Sequence, residues 1–163
     1  MVVAEFLEGL GFGSTLVTFL VSLIPVIELR GAIPVGVYLG LPVWKSFVVS
    51  IVGNLIPAPF IVLFIRAVFA WIQKKIHWKW LNNFVDRMEA KAEKNYDKVE
   101  KGEFWGLLAF VAIPLPGTGA WTGALIAGML GLRLKKALPP ITIGVIIAGV
   151  LVSLATAGVV QLL

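Results

Sequence analysis

The apolar residues of this chain come in stretches of unequal length, and those lengths limit what it can fold into. They run from about Gly11 to Ile27, Ala32 to Leu41, Ser46 to Ile72, Phe104 to Leu115, Gly119 to Leu132 and Ala137 to Leu163. A helix rises about 1.5 Å per residue and a hydrocarbon core is about 30 Å thick, so a crossing needs about 20 residues. Ser46 to Ile72 and Ala137 to Leu163 reach that length. Ala32 to Leu41, Phe104 to Leu115 and Gly119 to Leu132 get about half-way. Breaks rich in Pro and Gly flank them, at Glu28-Leu29-Arg30-Gly31-Ala32-Ile33-Pro34 and at Pro114-Leu115-Pro116-Gly117-Thr118-Gly119. Two re-entrant hairpins that dip into lipid and return to the same side fit this pattern. Irregular backbone at that depth leaves amides and carbonyls unpaired, so the tips must face protein or a water-filled cavity. The other arrangement compatible with these lengths is ordinary loops between short, tilted full spans.

Composition agrees with burial in lipid. Of 163 residues, 59% are hydrophobic and 14% charged, against roughly 45 to 50% apolar in a soluble domain. Cys is absent and His77 is the only histidine. Thiolate metal sites, disulfides, a Cys nucleophile and an intramembrane Ser/His triad therefore have no raw material, and no metal or cofactor is expected. Asp86 and Asp97 both lie in the one polar stretch. An enzyme would have to work with a few Glu residues, which makes catalysis the least economical reading. Glu5 and Glu8, with no Lys or Arg before Leu10, do not form the basic start of a signal peptide, so the first apolar segment is expected to be retained. The net charge of +5 comes from bases that flank apolar segments. That distribution describes orientation in a membrane and argues against nucleic-acid binding.

The two halves echo one another. Gly40-Leu41 followed by Lys45 parallels Gly131-Leu132 followed by Lys136, and Gly53 parallels Gly144, each about 91 residues apart, while Pro25 and Pro114 are about two fewer apart. The expected fold is an all-α integral membrane protein of two inverted repeats, each a re-entrant helical hairpin followed by a transmembrane helix. Repeat one covers about 11–72, a cytoplasmic amphipathic insert about 73–103, and repeat two about 104–163, all within a single membrane domain, 1–163. Topology agrees, because a hairpin keeps its side and a span changes it. A first hairpin entering from outside leaves Lys45 outside and the insert cytoplasmic. Arg133, Lys135 and Lys136 then stay cytoplasmic too, which satisfies the positive-inside rule.

The insert opens with Trp71, Lys74, Lys75, His77, Trp78, Lys79 and Trp80, a mixture suited to the headgroup layer of a cell membrane. Val85, Met88, Ala92, Tyr96 and Val99 then recur at three- and four-residue steps, the pattern of an amphipathic helix. Its stripe can lie on lipid or pair with a second copy of the chain.

Glu28 and Arg30 are the sharpest candidates for function, since a charge near the bilayer centre costs at least about 2.5 to 3.5 kcal/mol and must be paired or wet. As a structural pair they would neutralise one another or bond tip carbonyls. As functional groups, Arg30 would anchor an anion and Glu28 would be the proton-responsive residue. The second tip offers Pro116, Gly117, Thr118, Gly119, Trp121 and Thr122, where glycines permit close approach and a helix starting after Thr118 aims its amides at the tip. Asn54, with Gly53, Pro57 and Pro59, interrupts the first span and is a candidate to line a pathway.

The strings Glu28-Leu-Arg-Gly-Ala-Ile-Pro34 and Pro114-Leu-Pro-Gly-Thr-Gly-Ala-Trp-Thr-Gly123 resemble the small multidrug export protein family in order and spacing, over most of the chain. More remotely, two opposed hairpins are similar to the DedA and VTT superfamily, and that resemblance implies lipid scrambling or proton-linked recycling of polyprenyl phosphate carriers. In this chain the Pro-x-Pro-Gly string lies in the second half with no Glu after it, and Arg30 shares the first tip with Glu28.

The expected function is a small transporter, homodimeric in the membrane, that moves an anionic lipid or polyprenyl-phosphate-like amphiphile and is coupled to protons through Glu28. Two alternatives stand beside it, proton-coupled export of lipophilic cationic drugs and a non-transporting membrane scaffold. The expected partners are membrane lipids and a small amphiphilic substrate.

Overall fold

A computed structural model describes residues 13–75, 96–115 and 117–162. These form helices α1 (Ser14–Leu23), α2 (Glu28–Tyr38), α3 (Val43–Leu55), α4 (Pro57–Lys75), α5 (Tyr96–Ala112), α6 (Ala120–Met129) and α7 (Leu134–Leu162), with no strand among the described residues. Two stretches are long and apolar enough to cross a membrane, Val43–Ile65 with 23 residues and Leu134–Val159 with 26. Only 28% of each is buried inside the protein, so most of their surface faces outward. Trp44, Phe60, Leu63, Phe64, Leu151 and Leu154 are all exposed. An apolar surface this continuous is stable against lipid and not against water. The molecule is an integral membrane protein.

The first crossing is built from α3 and the start of α4. Pro57 and Pro59 lack the N–H that a helix would donate to Gly53 and Leu55, which ends α3 one residue after Asn54. The shorter helices pair off. Ser14 at the start of α1 donates its hydroxyl to the Leu39 carbonyl beyond the end of α2, 3.0 Å away, so the two helices run antiparallel. At about 1.5 Å per residue, their 10 and 11 residues make a hairpin about 15 Å deep. In the second half α5 and α6 meet at Gly123, where a Cβ would sit 2.6 Å from Val111 and 3.5 Å from Leu107. Helix α5 is described from Tyr96 and runs without a break through residues 103 and 104, where the composition changes from charged to apolar. Gly102 and Gly106 do not break it, and both stand in open space.

The turns after α2 and α6 are superposable in their hydrogen bonds. Amides of Leu39, Gly40 and Leu41 donate to Val35, Val37 and Gly36, and those of Leu130, Gly131 and Leu132 donate to Ile126, Gly128 and Ala127. Gly40 and Gly131 hold the left-handed conformation that such a helix ending needs, with φ of 86° and 73°. The spans match as well. A Cβ on Gly53 would lie 3.0 Å from the Phe19 carbonyl and against Ser22, while one on Gly144 would lie 3.1 Å from the Leu108 carbonyl and 2.7 Å from Val111. Each span thus presses a glycine onto the first helix of its own hairpin. In addition α2 packs on α7 and α6 packs on α4, so the second helix of each hairpin leans on the other half.

The main core gathers Leu29 and Ile33, Ala58 and Val62, Leu107 and Val111, three alanines of α6, and Ile141 and Val145 of α7. It lies between the halves, and both tips are anchored to it. Val85, Met88 and Ala92 of the expected amphipathic stripe, together with His77, Trp78, Lys79 and Trp80, lie outside the described residues.

Candidate functional site

The two tips meet. In the first, the turn from Ile24 to Ile27 puts two side-chain-bearing residues in the left-handed region, Val26 at φ 77° and Glu28 at φ 51°. Each such residue costs roughly 1–2 kcal/mol. Glu28, almost fully buried, reaches across to α6, where its carboxylate oxygen accepts the amide of Trp121 at 3.0 Å. The Ala120 amide is also directed at it. Helix α6 begins after Gly119, which has no side chain to cap its free amides. Glu28 therefore caps a helix that starts 92 residues further along the chain, and its negative charge sits at the positive end of that helix. Gly119 makes room for this. Its φ is 129°, and a Cβ there would lie 2.7 Å from the Glu28 carboxyl carbon.

Arg30 does the complementary task at the end of α5. One guanidinium nitrogen donates to the Leu115 carbonyl. The other donates to the Ile113 carbonyl at 3.3 Å and to the Thr118 hydroxyl at 2.8 Å. The Thr118 hydroxyl is 2.8 Å from both the Ile113 and the Leu115 carbonyls, and its single proton can serve either. A cation thus holds the carbonyl end of one helix while an anion holds the amide end of the next, and both helix dipoles are complemented by one tip.

The sequence candidates separate accordingly. Glu28, Arg30, Thr118, Gly119 and the backbone of Trp121 come together. Gly117, with φ 82°, turns the chain in open space beside them. Asn54 is fully buried and near the Glu28 carboxylate, but neither of its polar atoms makes a hydrogen bond of normal geometry. Thr122 is half-buried on α6 and takes no part in the bonds just described. Pro116 lies outside the described residues. Two donors in the tips, Arg30 Nε and Trp121 Nε1, are buried without a partner.

A set of residues that the sequence reading passed over completes the site. Thr18 and Ser22 on α1, and Ser46 and Ser50 on α3, are all fully buried, and with Asn54 they form a polar seam inside the first half. Thr18 and Ser22 donate to their own helix, at Ser14 (2.7 Å) and Phe19 (2.6 Å). The Ser46 and Ser50 hydroxyls have no partner, at a cost of roughly 1–3 kcal/mol each if they stay dry. The signal was in the spacing, since Ser14-Thr18-Ser22 and Ser46-Ser50-Asn54 each repeat every four residues and so fall on one helix face.

Residues 28–151 match the model of a family described as "Putative small multi-drug export protein", a stretch that opens at Glu28 and takes in Arg30, the second tip and most of α7. The chain belongs to this family. Comparison with curated proteins gives no match, and neither does comparison with solved structures. The family's description is that of an export protein, and the tips of this chain bring together backbone groups, a hydroxyl, one acid and one base.

Proposed function

We propose that this export-family protein is a multi-pass transporter whose two tips form a latch inside the membrane, and that it moves an anionic amphiphile with a phosphate-like head. The observation that carries the reading is that both tip charges are bound to the backbone of the opposite tip. Every one of those bonds has a counterpart in a phosphate group. Amides at a helix start bind anions, and the fork of an arginine fits phosphate oxygens. The unpartnered donors Arg30 Nε and Trp121 Nε1 call for acceptors as well. A protonated Glu28 is a weaker acceptor for the α6 amides, so proton uptake loosens the latch and gives the tip its proton response.

In this reading the half-length helix pairs are re-entrant hairpins. The matched turns and matched glycine contacts support two repeats set inverted in the membrane, an arrangement in which ligand sites fall near the midplane.

The test is translocation of a fluorescent anionic phospholipid by purified protein in liposomes, set beside expulsion of a lipophilic cation down a proton gradient. Lipid movement that is lost in Arg30→Gln and loses its pH dependence in Glu28→Gln is the expected result. A protein that moves no anionic lipid but expels the cation, dependent on Glu28, has the carboxylate as counter-ion for a drug, and the substrate proposed here is then wrong.

A further inference from the structure

We propose that the polar seam of the first half is a hydrated proton path leading from the turn between α2 and α3 to Glu28. This rests on the reading of Glu28 as proton-responsive, and it adds the route by which the proton arrives.

Three helices line the seam with the same four-residue step. Helix α1 contributes Thr18 and Ser22, α2 contributes Glu28, Ala32 and Gly36, and α3 contributes Ser46, Ser50 and Asn54, every one of them buried. The turn end of the seam is set at Gly36, where a Cβ would meet the Ser46 hydroxyl at 2.6 Å and the Thr18 hydroxyl at 2.8 Å. At the tip end a Cβ on Gly53 would run into the Ser22 hydroxyl, and Asn54 stands beside Glu28. Ser50 lies half-way, one helical turn from Ser46 and one from Asn54. The Ser46 and Ser50 hydroxyls have no protein partner, and two open hydroxyls one helical turn apart on a buried polar face are the kind of site that a bridging water satisfies, with the Asn54 amide passing the chain on to Glu28.

The second half shows that packing does not demand these groups. The matched contacts equate Ser22 with Val111 and, at that same separation of 89 residues, Thr18 with Leu107, while the 91-residue separation of Gly53 and Gly144 equates Ser46, Ser50 and Asn54 with Ala137, Ile141 and Val145. All five counterparts are apolar and buried. The same backbone is filled once with hydroxyls and once with hydrocarbon.

The shape of the seam favours protons over a bound metal cation. A hard cation gathers six to eight oxygens at about 2.3–2.6 Å around one point, whereas Ser46 to Asn54 stretch over about 12 Å of helix. Of the charged groups near Glu28, Arg30 on its own helix is the one that acts on it. Helix α3 offers Asn54, α6 offers amides, α1 offers hydroxyls, and the only ionisable residues of α7 are Lys135 and Lys136 in its first turn. Among the described residues, a proton that enters along the seam therefore has one carboxylate to reach.

The experiment follows protonation of the Glu28 carboxyl by time-resolved infrared spectroscopy after a pH jump, on protein in vesicles, with the band assigned by its loss in Glu28→Gln. The double variant Ser46→Ala/Ser50→Ala is expected to slow the appearance of the band at least about tenfold and leave its pH midpoint in place. Ser153→Ala removes another buried, unpartnered hydroxyl, in the second half, and should change nothing. Unchanged kinetics in the double variant overturn the path and leave the proton response of Glu28 standing, while a Glu28 that never titrates overturns both. Because the chain has no Cys, a second measurement is direct. Ser46→Cys and Ser50→Cys should react with silver ion, and Ala137→Cys and Ile141→Cys should not. Equal reactivity at the two pairs would sink the path even if the alanine variants fold poorly.

Discussion

At Gly53 the first span touches Phe19 and Ser22; at Gly144 the second touches Leu108 and Val111. The spacing, the close approach and the turns that follow α2 and α6 are shared, yet one seam holds Thr18, Ser22, Ser46, Ser50 and Asn54 where the other holds Leu107, Val111, Ala137, Ile141 and Val145. Glycines set how near the helices come, and the side chains between them are then free to serve something other than packing. The first half gives up hydrophobic contact and carries the acid and the base. The second half keeps its contact and presents mainly backbone.

The comparison can be broken most sharply at Ile141 and Ser50, which occupy equivalent places. Ile141→Ala empties a fully buried site and should cost about 2–5 kcal/mol, visible as a large drop in thermal unfolding temperature in detergent. Gly53→Ala and Gly144→Ala come next, at about 1–3 kcal/mol each, because both bring a methyl onto a carbonyl of the neighbouring helix. Unequal losses there would mean that the two contacts are not the same device. Glu28→Ala removes the cap of α6 and should cost about 1–2 kcal/mol. Hydrogen exchange should show the loss first at the Ala120 and Trp121 amides. Ser50→Ala is the smallest change, within about 1 kcal/mol of neutral, since no protein partner is lost. A large destabilisation by Ser50→Ala would make the hydroxyl a structural bond and remove the contrast with Ile141.

Much of this was legible in the sequence, for local reasons. Gly40 and Gly131 announced helix endings, Pro57 and Pro59 announced the break after Asn54, and two short apolar runs around a Pro/Gly string announced each tip. A charge inside an apolar run has to be satisfied, which singled out Glu28 and Arg30. What satisfies them was not legible, because the Leu115 carbonyl lies 85 residues from Arg30, and no local rule pairs a side chain with main chain at that distance. The seam escaped notice because a single Ser in an apolar helix ordinarily bonds its own backbone, as Thr18 and Ser22 do here. The switch from charged to apolar residues near 103 marks a change of surroundings and not of backbone, since a helix crosses it without a break.

Glu28 and Arg30 grip main-chain atoms that every residue but proline possesses. Three of their contacts, to the Trp121 amide and the Ile113 and Leu115 carbonyls, are to main chain, and only Thr118 is recognised by its side chain. A clasp of that kind survives replacement of most side chains in the loop it holds. The second tip can therefore change what it displays to a passing molecule while the closure itself is inherited intact, so selectivity and closure can diverge separately within one small fold.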